Sequence, residues 1–282
     1  MPKARPEAHT LSLEVRVSDP GCDPPSPCRR APFAQAMDSS DHVYVWTLPT
    51  TASNEILSNF EQLLTADELD HATQIRSLRQ RQSFIVTRGT LRSLLGCFLA
   101  IEPQELQFDY GPKGKPVLST AAEVSFNVSH SSEMAAIALT RGCDVGIDLE
   151  EIRTLPELEQ IVRQFFRSEE AAKIMVLPCG ERERAFFACW TRKEAYVKAT
   201  GSGLSKSPDS FSVTERAEKD GTFDVLEEGA PSSEPWTVQD LCFSPDYAAA
   251  LAYRDRRRPL TILRLHDLEK LFETTCEHRK PF

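Results

Sequence analysis

Asp148 and Glu150 stand two residues apart at the end of an alternating run, Asp144-Val145-Gly146-Ile147-Asp148-Leu149-Glu150, that reads as the end of a β-strand. Residues two apart on a strand point to the same face. Their charges repel there, so the pair needs an exposed rim or a cation between the carboxylates. A second stretch, from about Glu181 to Thr200, reads as a helix that Gly201 ends as its C-cap. Its apolar stripe includes Phe187, Trp190 and Val197, and Glu194 falls inside that stripe. A carboxylate among apolar neighbours is costly unless it is paired. Lys198 one turn on, a lysine from elsewhere, or a metal ion shared with Asp148 and Glu150 would each relieve it.

Taken singly, both stretches have plain readings: a solvated strand end, and a Glu194–Lys198 helix pair worth about 0.2–0.5 kcal/mol. Taken together, they hold three carboxylates beside Lys193 and Lys198. A hard divalent cation such as Mg²⁺ takes a few carboxylates and leaves room for substrate phosphate oxygens. The two lysines suit a negatively charged phosphate or leaving group.

Gly146-Ile147-Asp148-Leu149-Glu150, followed by Trp190-Thr191-Arg192-Lys193-Glu194-Ala195-Tyr196-Val197-Lys198-Ala199-Thr200-Gly201-Ser202-Gly203-Leu204, resembles the paired signature of the Sfp-type 4'-phosphopantetheinyl transferases. That family moves the phosphopantetheine arm of coenzyme A onto a serine of an acyl, peptidyl or aryl carrier protein. The resemblance extends from about Val43 to Leu268. It implies an α+β fold: a pseudo-dimer of two similar α/β halves, with the active site and coenzyme A in the cleft between them. It implies Mg²⁺, with Mn²⁺ as the alternative, held by Asp148, Glu150 and Glu194. Glu194 and Lys198 become the catalytic residues. Asp148, Lys193 and Lys198 join the contacts to coenzyme A, and an apo carrier protein is the partner.

Other matches add to those contacts. Arg88-Gly89-Thr90-Leu91-Arg92 resembles the family's Arg-x-x-Leu-Arg helix, with Arg88 toward the coenzyme A phosphates. The family's further arginine is replaced by Ser83, so either Arg81 or Arg79 takes its place or the phosphates have one arginine fewer. Lys115, in Gly114-Lys115-Pro116, resembles a lysine near the nucleotide. Asn127-Val128-Ser129-His130-Ser131 resembles the family's Asn-x-Ser-His-Ser, which makes Ser129 and His130 phosphate contacts; His130 is expected at the tip of a hairpin.

The elements that must position these residues follow from pattern. His42 to Leu48 reads as a strand, and Thr65-Ala66-Asp67-Glu68 as a capping box that starts a helix. Arg76 to Ala100 reads as an amphipathic helix rich in arginine. Leu106 to Tyr110 and Val124 to Val128 are strand-like around the turn Gly111-Pro112-Lys113-Gly114-Lys115-Pro116, and Met134 to Leu139 is an apolar strand. Leu155 to Leu177 should form one broken helix or two, with a fresh start near Ser168. Beyond Gly203, strands are expected over Phe211–Thr214, Thr222–Leu226, Trp236–Phe243, Ala248–Tyr253 and Leu260–Leu265, with Gly229–Pro235 a loop. Val128 to Leu139 and Phe243 to Leu251 echo each other as strand, polar turn and Ala-rich strand.

The chain therefore divides into a proline-rich extension over 1–40, an N-terminal half over 41–143 and a C-terminal half over 144–282. The extension reads as flexible, with strand-like alternation from Leu11 to Val17; Met37 as an alternative start stays open. A net charge of −9 argues against a generic nucleic-acid surface. No apolar run is long enough to cross a membrane and no secretory segment follows Met1, so a cytoplasmic protein is expected. The eight scattered cysteines fit reduced thiols. A monomer is expected, with a basic and apolar docking surface for an acidic carrier near Ser202–Ser207. Two other classes stay open: a Mg²⁺-dependent phosphohydrolase or nuclease using the same carboxylates, and a non-catalytic coenzyme A or carrier-protein binding module.

Overall fold

Period-two alternation over residues 43–48 forms a strand that serves two cores: Tyr44, Trp46 and Leu48 face one, and Val43 and Val45 the other. The computed structural model describes residues 15–17, 41–111, 114–119, 123–215, 221–227, 235–269 and 271. The extension read over 1–40, apart from Val15–Val17, lies outside the described residues, as do Pro112, Lys113 and residues 229–234 of the expected loop.

The chain begins with β1 (Val15–Val17) and then β2 (Val43–Pro49). Three helices follow: α1 (Asn54–Glu61), α2 (Ala66–Gln74) and α3 (Leu78–Leu99). Then come the short β3 (Phe108–Tyr110) and β4 (Pro116–Leu118), and the long β5 (Val124–Ser131) and β6 (Met134–Arg141). The order recurs: β7 (Val145–Glu151), then α4 (Leu158–Phe165), α5 (Ser168–Met175) and α6 (Cys179–Thr200). Last come β8 (Phe211–Glu215), β9 (Thr222–Glu227), β10 (Thr237–Leu241), β11 (Tyr247–Tyr253) and β12 (Leu260–Arg264). One strand, three helices and four strands thus occur twice, from β2 to β6 and from β7 to β11.

Two five-stranded sheets result, ordered β1-β12-β2-β6-β5 and β7-β11-β10-β9-β8, with β3 and β4 a separate hairpin. All pairs are antiparallel except β12 with β2. The sheets pack through Val43, Val45, Ala136 and Ala138 on one side and Ile147, Leu149, Leu251 and Tyr253 on the other. Helices α1–α3 cover the outer face of the first sheet, and α6 covers that of the second through Ala195, Ala199, Ala250 and Ala252. The fold is thus a mixed α+β sandwich of helices, sheet, sheet and helices. Strand β12 does not join the sheet of the preceding β7–β11 but crosses to pair with β2 in the first sheet.

Local signals set the helix ends. Thr65 and Glu68 form the expected capping box, and Gly201 ends α6 in the left-handed conformation at φ 66°. The expected break near Ser168 separates α4 from α5. Strand β5 runs three residues past Val128, so Asn127 to Ser131 lie in a strand and the turn falls at Ser132–Glu133, with Ser132 at φ 52°.

Gly146 sets how closely β7 and α6 approach. A Cβ there would stand 2.1 Å from the Ala195 carbonyl oxygen and 2.4 Å from the Ala199 nitrogen, both backbone atoms that cannot rotate away. Gly146→Ala is therefore expected to push α6 off the sheet. It should cost on the order of 3 kcal/mol in urea denaturation, the upper part of the range for overpacking; a loss below about 0.5 kcal/mol would contradict the close approach.

Candidate active site

Because side chains alternate along β7, Gly146, Asp148 and Glu150 share the face that meets α6, while Ile147 and Leu149 enter the core between the sheets. The approach at Gly146 touches Ala195 and Ala199, and the residues next to them on α6 are Glu194 and Lys198. Lys198 Nζ donates to Asp148 Oδ1 at 2.6 Å and to Ser129 Oγ at 3.0 Å. The lysine therefore bonds Asp148 directly and reaches Glu194, its neighbour one turn back, only through its charge.

Asp148 is 3% exposed, and its Oδ2 is buried without a hydrogen-bond partner among the described residues. Glu150 Oε2 accepts from Ser131 Oγ at 2.9 Å. Burial pushes the Glu150 carboxyl up from its ordinary value, and the charge of Asp148 adds to this. Burial likewise pushes Glu194 up, with Asp148 and Glu150 adding to the rise and Lys198 opposing it. These are the electrostatics of three carboxylates that face one another with too little positive charge between them.

Such a set has the hard oxygen chemistry that suits Mg²⁺ or Mn²⁺. The orphaned Asp148 Oδ2 is an acceptor that a cation would satisfy. The donors are not gathered into a finished cage: among the described residues, no three His, Cys, Asp or Glu side chains converge tightly enough to hold a metal. Lys198 Nζ sits where positive charge is wanted.

Beside these carboxylates opens a cleft of about 740 Å³ whose walls include His71, Phe84, Arg88, Val128, His130 and Ser131. His130 stands exposed at its rim, and burial of its ring together with the Lys198 charge pushes its pKa down. Arg88 lies 5.1 Å over the Phe108 ring and 3.6 Å from Glu68, and its Nη1 is buried without a hydrogen bond among the described residues. Arg79 also lines the cleft, and it bonds Glu133 across the rim at 3.2 Å.

Four residues expected in the site are placed elsewhere or turned away. Arg81 donates to the carbonyls of Ile75 and Thr73 at the end of α2, at 2.9 and 3.3 Å. Lys115 Nζ donates to the carbonyls of Val145, Lys198 and Ala199, where its charge complements the C-terminal end of α6; burial pushes its pKa down. Ser129 is 5% exposed and bonded on every side within the protein. Lys193 is fully buried on the far side of α6, paired with Glu170 at 2.8 Å and donating to the carbonyls of Pro208 and Phe211.

Removing one member of a buried pair leaves the other charge uncompensated, at a cost of about 3–5 kcal/mol. Lys193→Met is expected to lose stability on that scale in urea denaturation and to leave the KM for coenzyme A unchanged per folded molecule. A raised KM with full stability would return Lys193 to the cleft.

Two arrangements lie beyond what the sequence reading reaches. Arg92 is buried and bound by Glu68 through both carboxylate oxygens at 2.7 and 3.0 Å, so the capping-box glutamate doubles as an anchor for α3. Ser131, which holds Glu150, is the other; alternate polar residues in an otherwise apolar strand are the signal that could have found it.

Residues 144–252 match the sequence model of the 4'-phosphopantetheinyl transferase superfamily, and residues 49–141 match that of the 4'-phosphopantetheinyl transferase N-terminal region. The 4'-phosphopantetheinyl transferase HetI of Nostoc is 38% identical over 170 residues, covering 59% of this chain and 72% of that protein. The 4'-phosphopantetheinyl transferase Sfp of Bacillus subtilis is 28% identical over 180 residues, covering 63% and 77%. Among solved structures, the holo-[acyl-carrier-protein] synthase of Thermotoga maritima aligns with 40% of this chain and 64% of its own, at TM-score 0.32 and 22% identity.

Proposed function

The chain belongs to the 4'-phosphopantetheinyl transferase superfamily, and we propose that it transfers the phosphopantetheine arm of coenzyme A to a carrier-protein serine at the β7–α6 contact. The observation that carries this assignment of the site is the meeting of Asp148, Glu150 and Glu194 with Lys198 where Gly146 lets strand and helix touch.

The carrier serine hydroxyl attacks the phosphorus that bears the pantetheine arm. The bond to the adenosine phosphate breaks, and adenosine 3',5'-bisphosphate leaves. Glu194, whose raised pKa makes it a stronger base than an ordinary carboxylate, takes the serine proton. Lys198, held by Asp148 and Ser129, meets the charge that grows on the leaving phosphate. Arg88 and His130 line the cleft where the nucleotide phosphates lie. Asp148, Glu150 and Glu194 are the residues that would hold Mg²⁺ or Mn²⁺. Such an ion neutralises pyrophosphate charge when bound.

The recurring element order supports reading the chain as a pseudo-dimer, with halves over 41–143 and 144–282 exchanging β12. No helix among the described residues is long and apolar enough to cross a membrane, and no disulfide forms among the described cysteines; we assign a monomer acting in the cytoplasm, with an apo carrier protein as partner and no nucleic acid or membrane. Release of adenosine 3',5'-bisphosphate from coenzyme A, followed by chromatography, is expected only when an apo carrier protein is present. Release without a carrier would mark a phosphohydrolase instead.

A further inference from the structure

Among the described residues strand β7 lies at the edge of its sheet, with β11 on one side and no backbone partner on the other. Edge N–H groups buried without acceptors are costly. Here the acceptors are side chains of β5, the edge strand of the other sheet. Ile147 N donates to Asn127 Oδ1 at 2.8 Å, Leu149 N to Ser129 Oγ at 3.2 Å, and Glu151 N to Ser131 Oγ at 3.1 Å. Both strands advance by two residues per rung, so the three bonds form a ladder that joins the sheets.

The rungs differ in what they can give back. An amide oxygen only accepts, and Asn127 stands at the rung next to Gly146, which has no side chain. A hydroxyl accepts and donates at once. Ser129 gives its proton to Asp148 Oδ1 at 3.1 Å, and Ser131 gives its proton to Glu150 Oε2 at 2.9 Å. Each serine thus grips the N–H of one β7 residue and the carboxylate of the residue before it, which fixes that carboxylate relative to the backbone. Ser129 also meets Lys198, so its removal would disturb several groups together. Ser131 holds one carboxylate, that of Glu150, besides the Glu151 N–H.

We propose that Ser131 is a positioning residue: the last rung of the ladder, it orients the Glu150 carboxylate for cation binding. This rests on the proposed function, since it takes Glu150 as a ligand. Partners of this kind change metal affinity by about 10- to 100-fold when removed.

The test compares Mn²⁺ binding, followed by electron paramagnetic resonance without substrate, in the wild type, Ser131→Ala and Ser131→Thr. Ser131→Ala is expected to bind Mn²⁺ about 10- to 100-fold more weakly, while Ser131→Thr, which keeps the hydroxyl, restores Mn²⁺ affinity. Should Ser131→Ala lose the fold, Ser131→Cys keeps the volume with a weak donor and is expected to fall between wild type and loss. Unchanged Mn²⁺ affinity in Ser131→Ala, or a Ser131→Thr that stays as weak as Ser131→Ala, overturns the proposal. A wild type that binds no Mn²⁺ and modifies no carrier overturns the proposed function along with it.

Discussion

Replacing Glu194 with Gln lowers the rate of transfer by about 10²- to 10⁴-fold, the usual contribution of a positioned base, and leaves the protein at least as stable as the wild type. The two outcomes have one cause. Burial first, and then the charges of Asp148 and Glu150, push the Glu194 carboxyl above its ordinary 4.5. A carboxylate with a raised pKa in the fold binds its proton more tightly folded than unfolded. It therefore favours the fold at low pH and costs stability as pH rises from 4.5 through the folded value. Gln never ionises and escapes that cost. The wild-type rate, by contrast, climbs with pH as Glu194 ionises, at lower pH with a cation bound than the metal-free melts show, because only ionised Glu194 accepts a proton. Rate–pH profiles and thermal melts from pH 4 to pH 8 check both; a Gln variant that keeps full activity, or that unfolds more readily at neutral pH, contradicts this role.

Lys198→Ala is expected to slow transfer by about 10²- to 10³-fold, the scale for removing one preorganised donor from a developing charge. It also strips Asp148 of its cation. Asp148 is 3% exposed and Lys198 is partly open to solvent, so the stability loss should be roughly 2 kcal/mol, below the 3–5 of a fully buried pair. Added Mg²⁺ is then expected to raise the melting temperature more in Lys198→Ala than in wild type, because the three carboxylates lose the Lys198 charge that relieves them. Equal Mg²⁺ responses would mean that the ion does not share the ground Lys198 holds.

Local chemistry makes much of this site legible in the sequence. Alternation places Asp148 and Glu150 on one face, Gly201 ends α6, and the capping box begins α2. Lys193 is the instructive miss. At 3.6 residues per turn, a helix rotates about 100° per residue, so Lys193 stands about 140° from Lys198 and cannot face the same cleft. Its closeness to Glu194 in sequence hides an angle that is itself readable. The other misses depend on contacts distant in sequence. Alternate polar residues over Asn127–Ser131 do not say that β7 will arrive needing acceptors, so the motif reads as the end of a strand and the tip of a hairpin. Lys115 meets the end of α6 more than eighty residues on, and β12 crosses to the first sheet because the edge of β2 is open to it.

The central claim, that the β7–α6 contact carries out phosphopantetheine transfer, is tested most directly by intact-mass spectrometry of an apo acyl carrier protein incubated with this protein, coenzyme A and Mg²⁺. The carrier should gain one phosphopantetheine arm on its serine with the wild type, and none within the same time with Glu194→Gln or after chelation of the metal. No gain on several unrelated apo carriers, from protein that binds coenzyme A, would contradict the claim, as would equal gain with Glu194→Gln.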